Sequence, residues 1–437
     1  MRRRHWIVGM VALATLALSG GIQASAAPGP VADTARVCPP VPGEASCNAI
    51  QLLNPGLNWA GTHAATPAKS QGKGPGKKPP GGGGGSTTPS GYGPADLWSA
   101  YNLGTYSNGS PSTVPTVAIV DAYNDPNAAS DVATYRTTFG IQSCIPSTGS
   151  GCVTVENQSG STSSLPRSNS SWSEEISLDL DMVSAICPYC HILLVEANSA
   201  SITDLGTAVQ TAAATSGVVA VSNSYGASEF SSETTYDHFY TASNVAITAS
   251  AGDGGYGVEY PAASPYVVAV GGTTLTGSIS TGWNLQTVWS GTGSGCSAYE
   301  PKPASQDSLG KYGATCGNRT VGDVAAVADP NTGVAVYDTF HEPGWMVFGG
   351  TSVASPIIAS IFALAGNTNT FSTSLGYSTA AAAFYSDSSG SYPLVPVLSG
   401  TNSSSCGQDY LCNAGASLSN GYNGPTGMGT PNGISGF

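Results

Sequence analysis

The chain has 437 residues, of which 9% are charged, and its 26 Asp and Glu exceed its 13 Lys and Arg to give a formal net charge of −13. Beyond residue 90 only Arg136, Arg167, Lys302, Lys311 and Arg319 are basic, against 24 acidic residues. Such a charge disfavours nucleic acid and anionic membranes as partners, and it suits an acidic medium in which carboxylates are protonated and repel one another less.

The amino terminus combines a basic start, a short apolar run ending at Gly20-Gly21, and Ala24-Ser25-Ala26. This pattern predicts a signal peptide over residues 1–26 and a secreted, extracellular product; the run is short for a membrane anchor. No later stretch is long and apolar enough to span a bilayer, so no membrane partner is expected once the signal is removed. Residues 27–67 read as a short pre-segment with one disulfide. Residues 68–90 are a Gly/Pro/Lys linker expected to be disordered. Residues 91–437 read as one domain, expected to be monomeric. The ten cysteines fall into near neighbours: Cys38/Cys47, Cys144/Cys152, Cys187/Cys190, Cys296/Cys316 and Cys406/Cys412. An oxidising compartment makes local disulfides the simplest expectation. Cys187-Pro-Tyr-Cys190 has no second ligand pair to make a zinc site, so it is expected to be a disulfide too.

Within the domain, continuous apolar runs alternate with helical stretches. Strands are predicted over 116–123, 191–198, 218–226, 245–253 and 266–272. Helices are predicted over 125–140, with Asp125 as its cap, over 172–181, over 202–215 and over 231–243. The alternation implies an α/β fold, a mainly parallel sheet with helices on both faces, with ligands beyond the carboxyl ends of the strands.

Gly349-Gly350-Thr351-Ser352 is a tight turn feeding an apolar helix. Ser352 there is either a nucleophile at a helix amino terminus, where N–H groups await an oxyanion, or simply a helix cap. A serine nucleophile needs a base. The five histidines stand at positions 5, 63, 191, 238 and 341, and none opens a Gly-flanked helix. The stretch WSEEISLDLD (172–181) offers carboxylates instead. Glu175 and Asp179 are four apart and share a helix face, while Glu174 and Asp181 fall on others. Two close carboxylates tend to share one proton, which raises one pKa toward the range of a general base. Asp253, between Gly252 and Gly254, ends a strand; protonated, it would donate to a developing oxyanion, and the plainer reading is an Asp turn.

Glu175-x-x-x-Asp179, the SAGDGG turn around Asp253 and the late GGTSVASP together resemble the sedolisins, or serine-carboxyl peptidases. SNSYG (222–226), YPAASPYVVAVGGT (260–273) and GDVAAVADPNTGVAVY (322–337) extend the resemblance over residues 91–437. It implies a subtilisin-like three-layer fold and hydrolysis of protein or peptide bonds through an acyl-enzyme, without a cofactor. By motif, Ser352 is the nucleophile, Glu175 the base, Asp179 its orienting partner and Asp253 the acid facing the oxyanion. Ser222, Asn223, Ser224, Tyr225 and Gly226 would give an edge for an extended substrate. Asp121, where a subtilisin keeps an acidic triad residue, reads as structural without a matching histidine. Two departures stand out. The family's calcium carboxylates are replaced by Pro396 and Asn423, so no metal is expected. The segment before the domain is too short for the large folded propeptide of the family. The competing readings are a subtilisin-type protease using Asp121, a histidine and Ser352, and a catalytically silent secreted binding protein of the same fold.

Overall fold

A computed structural model describes residues 33–55, 89–104, 114–366, 380–385 and 394–437. The expected signal peptide and nearly all of the expected linker lie outside these residues. Three short strands come from the pre-segment: β1 (Thr34–Arg36), β2 (Ser46–Cys47) and β3 (Ile50–Leu52). The rest follow as α1 (Pro94–Ala100), β4 (Thr116–Ala122), α2 (Ala128–Thr138), β5 (Val153–Asn157), α3 (Ser170–Ile186) and β6 (His191–Ala197). Next come α4 (Ile202–Ala214), β7 (Val218–Asn223), β8 (Tyr225–Ser228), β9 (Ala246–Ser250), β10 (Glu259–Tyr260), β11 (Val268–Thr274) and β12 (Thr287–Val288). The last used here are β13 (Val324–Val327), β14 (Val334–Asp338), β15 (Gly344–Gly349) and α5 (Thr351–Ala365).

The central sheet runs β12-β11-β9-β7-β4-β6-β5, with β13 also pairing with β11. Every pairing within it is parallel except that of β11 with β12. Each residue of β4 is buried, which requires cover on both faces. Helices α3 and α5 pack on each other and over β4; α4 packs on β4, β6 and β7. This is the expected α/β fold. Residues 33–55 belong to the same compact unit as the sheet: β3 extends β15 and β14 as an antiparallel strand, and β2 pairs with β8.

Two expectations need correction. Helix α2 starts at Ala128 with Asn127 before it; Asp125 instead accepts the Asn127 N–H at 2.8 Å. An aspartate that closes a turn two residues on has used its acceptor before the helix begins. The stretch 231–243 forms two short 3₁₀ turns, Glu233–Thr235 and Asp237–Tyr240. There Glu233 takes the Phe230 N–H at 2.7 Å and Asp237 takes the Tyr260 hydroxyl at 3.2 Å, so acidic side chains compete for groups a continuous helix would not present. All five cysteine pairs form disulfides in the expected connectivity.

The acidic excess is folded inward. Asp323 is buried against Arg319 at 2.5 Å. Burial pushes other carboxyls up: Glu196 and Glu233 to about 8, Glu300 to about 9, Asp338 to about 7 and Asp125 to about 6. A carboxyl whose folded pKa is raised contributes most below its unfolded pKa, and that contribution is lost as pH rises through the folded value. The window opened by these groups runs from about pH 4 to about pH 9. The melting temperature is therefore expected to be highest near the acidic end and to fall by on the order of 5 °C or more across that window. Calorimetry across the same buffers checks this; a melting temperature that rises with pH would contradict it.

Candidate active site

Helix α3 is capped by the Asn169 side chain, which accepts the Trp172 N–H at 3.2 Å. From Glu175 to Ile186 every residue is buried, so the helix carries its acids into the core. Glu175 and Asp179 stand on one face, both 0% exposed. Asp181 points elsewhere and accepts the Tyr337 N–H at 2.9 Å. Glu174 lies near Asp338 and Glu342, and burial with their charges pushes it up to about 8. The separation of faces expected from helical spacing is therefore present.

Desolvation pushes Glu175 well above the usual carboxyl range, and the charges of Asp179 and Asp121 add to it; the neighbouring Ser352 hydroxyl acts in the opposite direction. Asp179 is likewise pushed well up by burial and by Asp121, while its bond from Ser224 opposes this. That bond runs from Ser224 Oγ to Asp179 Oδ1 at 2.8 Å. Asp121, read as structural from sequence, is fully buried at the end of β4 with neither oxygen hydrogen-bonded, and burial raises it to about 8. Three carboxyls thus share one desolvated space, and mutual repulsion keeps protons among them.

Ser352 lies in the first turn of α5. Gly350 is the residue before the helix, at φ 99°, so Ser352 is not the cap and the plainer reading of it loses its basis. The left-handed φ requires glycine there. Ser352 Oγ donates to the Ser224 carbonyl at 3.1 Å. The hydroxyl in this rotamer is thus directed at Ser224, and both oxygens of Glu175 lack a formed hydrogen bond. Free-state sites often hold such contacts loosely until substrate tightens them. Asp253 follows the end of β9. Its Oδ1 accepts from the Thr351 N–H and the Thr351 hydroxyl, each at 2.8 Å, while Oδ2 has no partner. Burial raises Asp253 to about 7, against the lowering by both Thr351 bonds. A buried acid with one idle oxygen beside the amino terminus of a helix is placed to donate to an oxyanion.

The stretch 222–226 divides. Ser222 and Asn223 end β7 beneath the groove; their side chains bond to Ser355 Oγ at 2.9 Å and to the Thr248 carbonyl at 2.9 Å. Ser224, Tyr225 and Gly226 form an edge, and that edge is paired with residues 46–48 of the same chain. Sequence reasoning did not single out those residues, nor Glu259 and Ser250, which hold the Asn48 side chain at 3.1 and 3.0 Å. Only the Cys38/Cys47 spacing hinted that the pre-segment had a fixed shape.

A mainly parallel sheet covered by helices on both faces, with a buried serine at a helix start, is a subtilisin-like arrangement. In agreement, the Subtilase family description matches residues 168–380. Sedolisin from Pseudomonas sp. (strain 101) is 36% identical over 185 residues, covering 40% of this chain and 29% of that protein. Kumamolisin from Bacillus sp. (strain MN-32) is 28% identical over 305 residues, covering 63% and 52% respectively. The chain's matches thus span from under a third to about half the length of these two relatives. The solved structure of Pseudomonas sedolisin, a serine-carboxyl proteinase complexed with pseudo-iodotyrostatin, superposes with a TM-score of 0.63 at 27% identity. That match covers 79% of this chain and 96% of the other. The chain is thus similar to sedolisins in sequence and in fold.

The resemblance implies a calcium site at Pro396 and Asn423, where the available donors are already engaged. Asn423 is fully buried, and its Oδ1 accepts the Thr426 N–H at 3.1 Å and the Thr426 hydroxyl at 2.8 Å. Its Nδ2 donates to the Val397 carbonyl at 2.9 Å and to Ser417 Oγ at 3.3 Å. Pro396 brings no side-chain donor atom. An amide N–H aimed at a carbonyl occupies the direction a cation would need, and calcium favours several carboxylate oxygens. Among the described residues no group of three His, Cys, Asp or Glu could hold a metal. These residues do not fit calcium.

If Asp121 shares protons with Glu175 and Asp179, Asp121→Asn is expected to lower the apparent pKa of the remaining pair by about one unit, since it removes a nearby like charge. Infrared titration of the protonated carboxyl stretch in Ser352→Ala and in the double variant reads this directly. An unchanged titration would separate Asp121 from the pair.

Proposed function

We propose that the protein is a secreted serine-carboxyl peptidase. It would hydrolyse protein or peptide bonds with Ser352 as nucleophile, Glu175 as base, Asp179 as its partner and Asp253 as the acid at the oxyanion. The observation that carries this is the convergence of a buried carboxyl pair from α3 with a hydroxyl from α5 and an unpartnered carboxyl oxygen of Asp253. The Ser352 proton passes to Glu175 as Oγ attacks the carbonyl carbon. Asp179 shares the resulting proton and holds Glu175 in place. The Ser352 N–H and a protonated Asp253 receive the oxyanion. Glu175 then returns its proton to the leaving amine, and water releases the acyl group by the reverse sequence. Five disulfides agree with action outside the cytosol.

Among the described residues no hydrogen bond joins a histidine to Ser352, which weighs against the subtilisin-type triad: His191 bonds to Thr154, and His238 to the Thr235 carbonyl. Asp253 donates only while protonated, so activity is expected to be highest at acidic pH and to fall as pH rises through about 7. Ser352→Ala is expected to abolish casein hydrolysis, and Glu175→Gln to lower kcat by roughly 10³-fold or more, the scale of losing a general base and its charge. Full activity in Glu175→Gln, or an alkaline optimum, would overturn the assignment. Calcium is not needed in this reading: chelation is expected to leave activity and melting temperature unchanged, and stoichiometric calcium in purified protein would refute it.

A further inference from the structure

The groove beside Ser352 is occupied by the chain itself. Ser46 and Cys47 pair antiparallel with Gly226 and Tyr225. The Asn48 N–H donates to the Ser224 carbonyl at 3.1 Å, and the Asn48 carbonyl accepts the Ser352 N–H at 2.9 Å. On the far side, Ile50 and Gln51 pair with Gly349 and Phe348 of β15. An extended strand thus crosses the nucleophile with main-chain pairing before and after it. The Asn48 carbonyl oxygen and the idle Asp253 Oδ2 crowd the same face of Gly350, where an added Cβ would lie 2.2 Å from one and 2.5 Å from the other. This is how a substrate carbonyl entering an oxyanion site is held.

The side chain before that bond is also read. Asn48 Nδ2 donates to Ser250 Oγ at 3.0 Å and to Glu259 Oε2 at 3.1 Å. Glu259 lies between Gly226 and Gly252, where a Cβ on either glycine would come within 2.1 and 2.7 Å of its carboxyl. Two glycines therefore make room for a carboxyl at the base of the subsite. A site built to accept a hydrogen bond rejects side chains that lack a donor, because its own groups would be left unpaired.

We propose that residues 33–52 are the site's own bound substrate and temporary inhibitor, with Asn48–Ala49 as the bond Ser352 addresses and Glu259 selecting a hydrogen-bond donor on the acyl side. This rests on the peptidase reading above. In the cut, a bond forms between Ser352 Oγ and the Asn48 carbonyl carbon, and the Asn48–Ala49 C–N bond breaks. The serine proton reaches the Ala49 amine through Glu175. Water then frees the Asn48 carboxylate and restores the serine. Both new ends are slow to leave. β1 stays paired to β3 across the cut, Cys38–Cys47 closes the loop between them, and Arg36 donates to the Asp253 carbonyl at 2.9 Å. The cut precedes full activity toward other proteins.

The test uses the full chain, wild type and Ser352→Ala, moved from neutral pH to pH 4, with intact mass, N-terminal sequencing and casein hydrolysis followed together. The expected result is a new amino terminus at Ala49 in the wild type and none in Ser352→Ala, with casein hydrolysis rising at least tenfold after the cut. Asn48→Leu is expected to slow the cut at least tenfold, and Asn48→Gln to restore it. Casein hydrolysis at full rate with Asn48–Ala49 intact, or a first cut at another bond within 33–52, overturns the inference and leaves the peptidase reading standing. A wild type that hydrolyses no casein at any pH overturns both.

Discussion

Everything in this molecule that bears on chemistry depends on carboxyl groups held out of water. A carboxylate buried without a cation is costly to ionise, so the group keeps its proton to a higher pH. Glu175, Asp179 and Asp121 meet that condition together, and each charge that forms among them discourages the next. The consequence is a group of proton-sharing carboxyls which, in the proposed reaction, would take the part of the imidazole base in other serine peptidases. Asp253 meets the same condition a few residues beyond β9. In the proposed reaction its proton would serve a different end, because one oxygen is held by Thr351 and the other has no partner.

The fold exists to hold these groups in place. Helices α3 and α5 pack on each other across the same face of the parallel sheet, so residues separated by more than 170 positions share one space. The strand ends provide the rest: Asp121 at the end of β4, Ser224 past β7 and Asp253 past β9 all lie at the carboxyl edge, where a parallel sheet opens its crevice. The same burial that tunes the site sets the stability of the protein as a whole. A chain so rich in inward-facing acids folds best where those acids are neutral, and the medium that favours the fold also favours the proposed chemistry.

The amino-terminal strand gives the groove a second meaning. Residues 46–51 use the pairings that an extended peptide would use, on both sides of Ser352. In the role proposed for it, a segment of some twenty residues, fastened by one disulfide, would do on a small scale what a large folded propeptide does by bulk. Where the resemblance implies calcium-binding carboxylates, this chain carries Pro396 and the hydrogen-bonded amide of Asn423, and the Cys406–Cys412 disulfide lies in the same part of the chain.

Much of this was legible in one dimension because it depends on local periodicity. Apolar runs of strand length, the four-residue spacing of Glu175 and Asp179, the glycines around Asp253 and Ser352, and cysteines a few residues apart each constrain geometry over a turn or two. The helix expected over 231–243 failed because Glu233 and Asp237 found partners outside it. The cap expected at Asp125 failed because a competing turn lay two residues away. What only the tertiary structure decided is which distant groups meet. Asp121 joins the acid pair because β4 runs beneath α3, and Asn48 reaches Ser352 because β2 adds to the edge at β8. Those are contacts between segments far apart in the chain, and no local spacing encodes them; they follow from how whole elements bury their faces against one another.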